Sequence, residues 1–279
     1  MIGSMNRARL KVLLDNGIIS HAEFVEPAIK TQEILWGSHK ILEPIHGFRR
    51  KPPHEDKEYQ RQINAIFTIG RLIRAGRISA YTSNELRFEL VRRRCTVKVF
   101  YALKGCNISS CPTPIERSKF RIASFLEQVI KGGKKDKAKG ANLGSANQLP
   151  FMEWLRNIDE PTIHRILEHG EKFSLTKFEV ESLRTIEWYK FICSRFRSPE
   201  NLPDAFHLWT AERNQMDVFL TLERKLPNLV KQIKEEKNNR LTITTEVLRP
   251  IEFLCRMGVQ EPDEVPIEYD KFYNYFEVD

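Results

Sequence analysis

Four carboxylates stand where an acidic metal site would need them. Asp15 follows the apolar run "KVLL", Glu85 follows "ISAYTSN", Asp204 opens a helical pattern after "NLP", and Glu223 follows "VFLT". Three of them fall just past the C-terminal end of an expected strand, the edge of an open parallel sheet where ligands bind. Carboxylates gathered there would repel one another unless divalent cations sat between them, and oxygen ligands suit Mg²⁺ or Mn²⁺. Two such ions about 3.5–4 Å apart can activate a water and stabilise both oxygens of a phosphodiester displacement. Each acid also has a purely local reading. Asp15-Asn16-Gly17 would make a hairpin turn, Thr82 and Glu85 a capping box, and Asp204 an N-cap. Glu223, before Arg224 and Lys225, would be a solvated surface charge. No single acid decides between these readings; the order and context of all four do.

The surrounding elements must bring these acids together. "ARLKVLL" (8–14) ends in an apolar burst, and residues 23–46 mix apolar and polar side chains without clean periodicity. The polar, proline-broken "RRKPPHEDKE" (49–58) reads as a loop. Over 58–75, apolar residues recur at helical spacing and Gly76 closes the helix. A strand "RISAY" and a helix "TSNELRFELVRRR" follow. Further helical patterns occupy 151–169 and 176–196. "LPDAFHLWTAERNQ" is an expected helix, "MDVFLT" a strand, "KLPNLVKQIKEEKNN" helical and "RLTITT" a strand. Alternating helix and strand at both ends argue for an α/β fold with a mainly parallel central sheet.

Composition narrows the function classes. The chain has 279 residues, enough for one large domain or two small ones, and 41% are hydrophobic, which fits a globular rather than a disordered chain. Net charge is +8 and the isoelectric point about 9.2, which favours a polyanionic partner, above all nucleic acid. No apolar run is long enough for a membrane span, and the N-terminus lacks a signal-peptide core. Five cysteines fit free thiols in a reducing cytoplasm.

Taken together, these stretches resemble the PIN-domain nucleases. That family shows a strand ending in Asp, a Glu opening a helix after a later strand, and a third acid opening a "D-x-x-H-L-x-x-A" helix that leads into a strand ending "F-L-T-x-D". This chain has "VLLDNGII", "ISAYTSNELRFEL" and "PDAFHLWTAERNQMDVFLTLERK", and it closes with "LTITTEVLRPIEFL". The match covers roughly 8–30, 77–100 and 200–258. The resemblance implies a three-layer α/β/α domain over 8–260, with an inserted helical and loop segment at about 104–175 and an acidic, aromatic tail over 261–279. It further implies that Asp15, Glu85, Asp204 and Glu223 bind Mg²⁺ or Mn²⁺ and that RNA phosphodiester bonds are hydrolysed there, in an endonuclease. Asn16 and Thr221 fall at small polar positions beside the metal site. The family's fourth acid is usually Asp, so Glu223 and the preceding Leu222 are departures that bear on a second metal.

Outside the acids, Lys131, Lys134 and Lys135 in "KGGKKDKAK" and Arg92 in "LVRRRC" are candidate phosphate contacts, and binding through them would be salt-sensitive. The alternative for those lysines is a solvated loop. Asp217 precedes its strand and reads as punctuation between helix and strand. His207 lies one turn after Asp204, where it would either orient that carboxylate or pack under the sheet. The expected function is a metal-dependent ribonuclease; the alternatives are a catalytically weakened RNA-binding or assembly module, and an unrelated basic α/β protein. A homodimer and a regulatory protein partner stay open.

Overall fold

The computed structural model describes residues 9–92, 102–120, 143–196, 198–236 and 242–274. The "KVLL" run forms strand β1 (Leu10–Leu14) and leads into helix α1 (Asn16–His21). An antiparallel ribbon follows, β2 (Val25–Trp36) and β3 (His39–Arg50). Helix α2 (Lys57–Arg74) then precedes β4 (Ile78–Ser83), α3 (Asn84–Arg92) and β5 (Ile108–Cys111). Helices α4 (Leu143–Asn157), α5 (Glu160–Glu168), α6 (Lys177–Arg184), α7 (Ile186–Arg195) and α8 (Leu202–Arg213) come next. The chain closes with β6 (Val218–Leu220), α9 (Lys225–Glu235), β7 (Glu246–Leu248), α10 (Pro250–Arg256) and β8 (Phe272–Asn274).

Five strands form one parallel sheet in the order β5-β4-β1-β6-β7. The expected α/β class with a mainly parallel sheet is what the fold shows. Both faces of the sheet are covered. Val12, Leu14, Val218 and Leu220 enter one apolar cluster with the inner face of α2, while Leu13 and Phe219 enter another with α4, α7 and α8. Burial on both faces is why these strands read as unbroken apolar runs rather than alternations. After β1 the chain builds outward through β4 and β5, then returns to the other flank of β1 with β6 and β7. The order therefore reverses at β1, which opens a crevice beyond the C-terminal ends of β1 and β6.

Local chemistry sets the ends of α2. Asp56 caps it by accepting from the backbone N–H groups of Glu58 and Tyr59, and Gly76, at φ 66°, closes it. Midway along, a Cβ on Gly70 would stand 2.1 Å from the Ala102 carbonyl oxygen, so only glycine lets α2 approach that backbone.

Three local expectations change. Residues 25–50 form a two-stranded ribbon of 12 residues per strand. Its apolar side chains sit on both faces, Ile29 and Leu35 on one and Ile34 and Trp36 on the other, so no period of two was visible. Leu35 and Trp36 are each 73% exposed. "DNGIIS" is helical rather than a hairpin turn. Strand β7 starts at Glu246, after residues 242–245 of the expected "RLTITT", whose first two residues lie outside the described residues. The Thr245 N–H is claimed by Glu212 Oε1 and its hydroxyl by the Met216 carbonyl, which holds it off the strand ladder. The tail adds β8, which pairs antiparallel with β3 at Gly47–Arg49. Among the described residues, no helix is long and apolar enough to cross a membrane.

Candidate functional site

The crevice gathers carboxylates from four elements. Asp15 ends β1 and caps α1, where its Oδ1 accepts from the Asn16 N–H at 2.7 Å. Its Oδ2 accepts from the Thr221 hydroxyl, also at 2.7 Å, so the ends of β1 and β6 are tied side chain to side chain. The Asp15 N–H donates to the Leu220 carbonyl and extends that tie through the backbone. Burial pushes the Asp15 carboxyl up, against the opposing pull of His207 and Thr221, and nearby Glu89 pushes it further.

Asp204 is the third residue of α8, just after Pro203. It is not the N-cap; Asn201 holds that position. Burial, with the charges of Asp15, Glu223 and Glu89, drives its carboxyl up to about 7 despite His207. Glu223 lies at the exposed mouth, its N–H donating to Thr221 Oγ1 at 3.1 Å. The next residue, Arg224, pairs with Asp56 and so anchors this loop to the start of α2.

The fourth acid is Glu89 rather than Glu85. Glu85 is 2% exposed, and its Oε1 faces Arg117 Nε at 3.3 Å. The capping box with Thr82 does not form; the Leu86 N–H points instead at Ser83 Oγ. One turn on, Glu89 enters the crevice, with His207 Nε2 3.0 Å and Gln148 Nε2 2.6 Å from its Oε1 and Asn16 Nδ2 3.2 Å from its Oε2. Burial alone would raise the Glu89 carboxyl, but His207 and these hydrogen bonds hold it down at about 2. Burial would likewise lower the His207 imidazole, yet Glu89, Asp15 and Asp204 raise it to about 9, so it carries a charge at neutral pH. His207 is therefore an internal counter-ion, bonded to Glu89 rather than directed at Asp204 alone. Glu85→Ala should cost about 3–5 kcal/mol in urea unfolding, because it deletes the enclosed carboxylate that faces Arg117.

Of the residues expected at the site, Asp15, Asn16, Asp204, Thr221 and Glu223 are brought together and Glu85 is not. Arg92 falls in the last turn of α3, and Lys131, Lys134 and Lys135 lie outside the described residues. Asp217 sits at the opposite edge, its Oδ2 accepting from the Lys11 N–H at 2.7 Å, the punctuating role its position suggested. Glu89 and Gln148 were not anticipated. The one signal for Glu89 was its place four residues after Glu85, on the same helical face.

Among the described residues, no three His, Cys, Asp or Glu side chains converge closely enough to hold a metal ion as they stand. The donor chemistry nevertheless fits a hard cation: Asp15, Asp204 and Glu223 offer only oxygen, and two of these carboxyls are raised, Asp15 by burial and Glu89, Asp204 by burial and the charges of Asp15, Glu223 and Glu89. The chain matches no protein-family model, no curated protein and no solved structure.

Proposed function

We propose that the chain is a PIN-like, divalent-metal-dependent endoribonuclease whose centre is Asp15, Asp204 and Glu223. The observation that carries this reading is the meeting of acids from the ends of β1 and β6, from α3 and from α8 at the point where the strand order reverses, with Asp204 raised to about 7 by burial first and then by its acidic neighbours. Asp15, Asp204 and Glu223 would hold Mg²⁺ or Mn²⁺. Such an ion supplies positive charge to a phosphodiester and makes water more acidic.

The chain's own groups prepare that site. The Thr221 hydroxyl and the Asn16 N–H fix both oxygens of Asp15. Glu89 binds His207 and so limits how far that imidazolium neutralises Asp15 and Asp204. Glu223, at the mouth, would close the oxygen set. The net charge of +8 favours a polyanionic partner for the chain as a whole, and Arg92, Lys131, Lys134 and Lys135 remain the proposed phosphate contacts.

One observation favours a second reading, an RNA-binding or assembly module without catalysis: His207 already supplies a positive charge among the acids. A cleavage assay on labelled RNA and DNA with Mg²⁺, Mn²⁺ or EDTA separates the two. Metal-dependent cutting of RNA, abolished by EDTA, is expected. RNA bound equally well with and without EDTA, and never cut, would establish the second reading instead. Glu85→Ala should retain its cleavage rate per folded molecule, which is the opposite of what a metal ligand at position 85 would give.

A further inference from the structure

The segment between β5 and α6 has the look of an appendage in the linear chain, yet one of its side chains reaches the centre. Gln148 lies on α4, is 4% exposed, and places Nε2 2.6 Å from Glu89 Oε1. The same oxygen faces His207 Nε2 at 3.0 Å, and the other carboxylate oxygen receives Asn16 Nδ2 at 3.2 Å. Asn16 is joined to Asp15 through its backbone N–H. A continuous path therefore runs from α4 through Glu89 to both His207 and the residue beside Asp15.

We propose that Gln148 is a positioning residue: its amide fixes the Glu89 carboxylate, which in turn holds the His207 ring and the Asn16 amide in place beside Asp15 and Asp204. This rests on the metal-dependent ribonuclease reading for its catalytic consequence, though not for the geometry. An amide suits the role because it donates without adding charge. A lysine there would neutralise Glu89 and free His207 to act on Asp15 and Asp204; an apolar residue would leave Oε1 to His207 alone. Buried polar networks of this kind stand or fall as units, and α4 is held in turn by its packing on α7 and α8 through Phe151, Met152 and Leu155. The middle of the chain is thus a working part of the site.

The test compares Gln148→Met, close in volume but without a donor, Glu89→Gln, and the double variant. For Gln148→Met, cleavage of a labelled single-stranded RNA with Mn²⁺ should fall about 10- to 100-fold in kcat, the usual loss when a partner behind a metal site is removed. KM and the melting temperature should change little. The double variant should be no slower than Glu89→Gln alone, because Gln148 acts through Glu89. Metal-free protein carrying ¹⁵N-labelled histidine gives a readout independent of activity: the His207 ring resonances should shift in Gln148→Met. Losses that multiply in the double variant, or unmoved His207 resonances, would overturn the proposal. If the wild-type protein cuts nothing, the ribonuclease reading fails, and the His207 resonances alone decide whether Gln148 positions the pair.

Discussion

Asp204→Asn is expected to make the metal-free protein more stable while nearly abolishing RNA cleavage. The native carboxyl sits among Asp15, Glu223 and Glu89 and is raised from 3.8 to about 7. Forcing it to ionise at about pH 8 costs the fold on the order of a few kcal/mol, because the unfolded chain gives up that proton far more easily. Asparagine keeps the size and removes the charge, so urea unfolding without divalent ions should show a gain of about 1–3 kcal/mol. The same change deletes one of the proposed anionic ligands, so Mg²⁺-supported cleavage should fall more than about 100-fold, beyond the usual loss for a partner that only supports a metal ligand. A carboxylate with a purely structural role at this position would show the reverse, with stability lost and activity kept. Unchanged stability together with unchanged cleavage would remove Asp204 from the site.

The second large effect is a dependence of stability on pH that divalent ions reverse. Asp204 has a raised folded-state value, so its contribution is complete below about pH 4 and is lost as pH climbs toward 7. His207, raised from 6.5 to about 9, contributes fully below pH 6.5 and loses that contribution as pH climbs through 9. Glu89, lowered from 4.5 to about 2, works the other way and loses its contribution only as pH falls through that lower range. The metal-free protein should therefore be most stable on the mildly acidic side, near about pH 5, and weaken steadily into the alkaline range. Mg²⁺ or Mn²⁺ should raise the melting temperature strongly at about pH 8 and little at about pH 5, since the ligands must be deprotonated to bind. Calorimetry across that range, with and without the ions, measures this directly. A flat profile untouched by Mn²⁺ would mean that the acids do not form a cation site.

The two acids on α3 show where the linear chain stops informing. Glu85 and Glu89 are four residues apart and share a helical face, about 6 Å apart along the axis. Glu85 lies two residues past the end of a strand and three after a threonine, so local signals favour it. Which of the two enters the crevice depends on Arg117, 32 residues away, and His207, 118 residues away. Neither partner leaves a trace near residue 85. The ribbon teaches the same point from the other side: beyond its buried base at Val25 and Phe48, most of β2 and β3 is exposed on both faces, so little in their pattern distinguishes them from a loop.

Read alone, the chain determines the α/β class and marks Asp15 and Glu223 as the acids that follow two apolar runs and Asp204 as an acid opening a helical pattern, because such runs and what borders them are local facts of composition and spacing. The fourth acid, the charge on His207 and the reach of Gln148 into the centre follow from long-range packing. Hydrogen bonds between residues 59 and 118 positions apart join α3 to α4 and α8, and a contact at that separation exists only once the sheet has brought its elements to one edge.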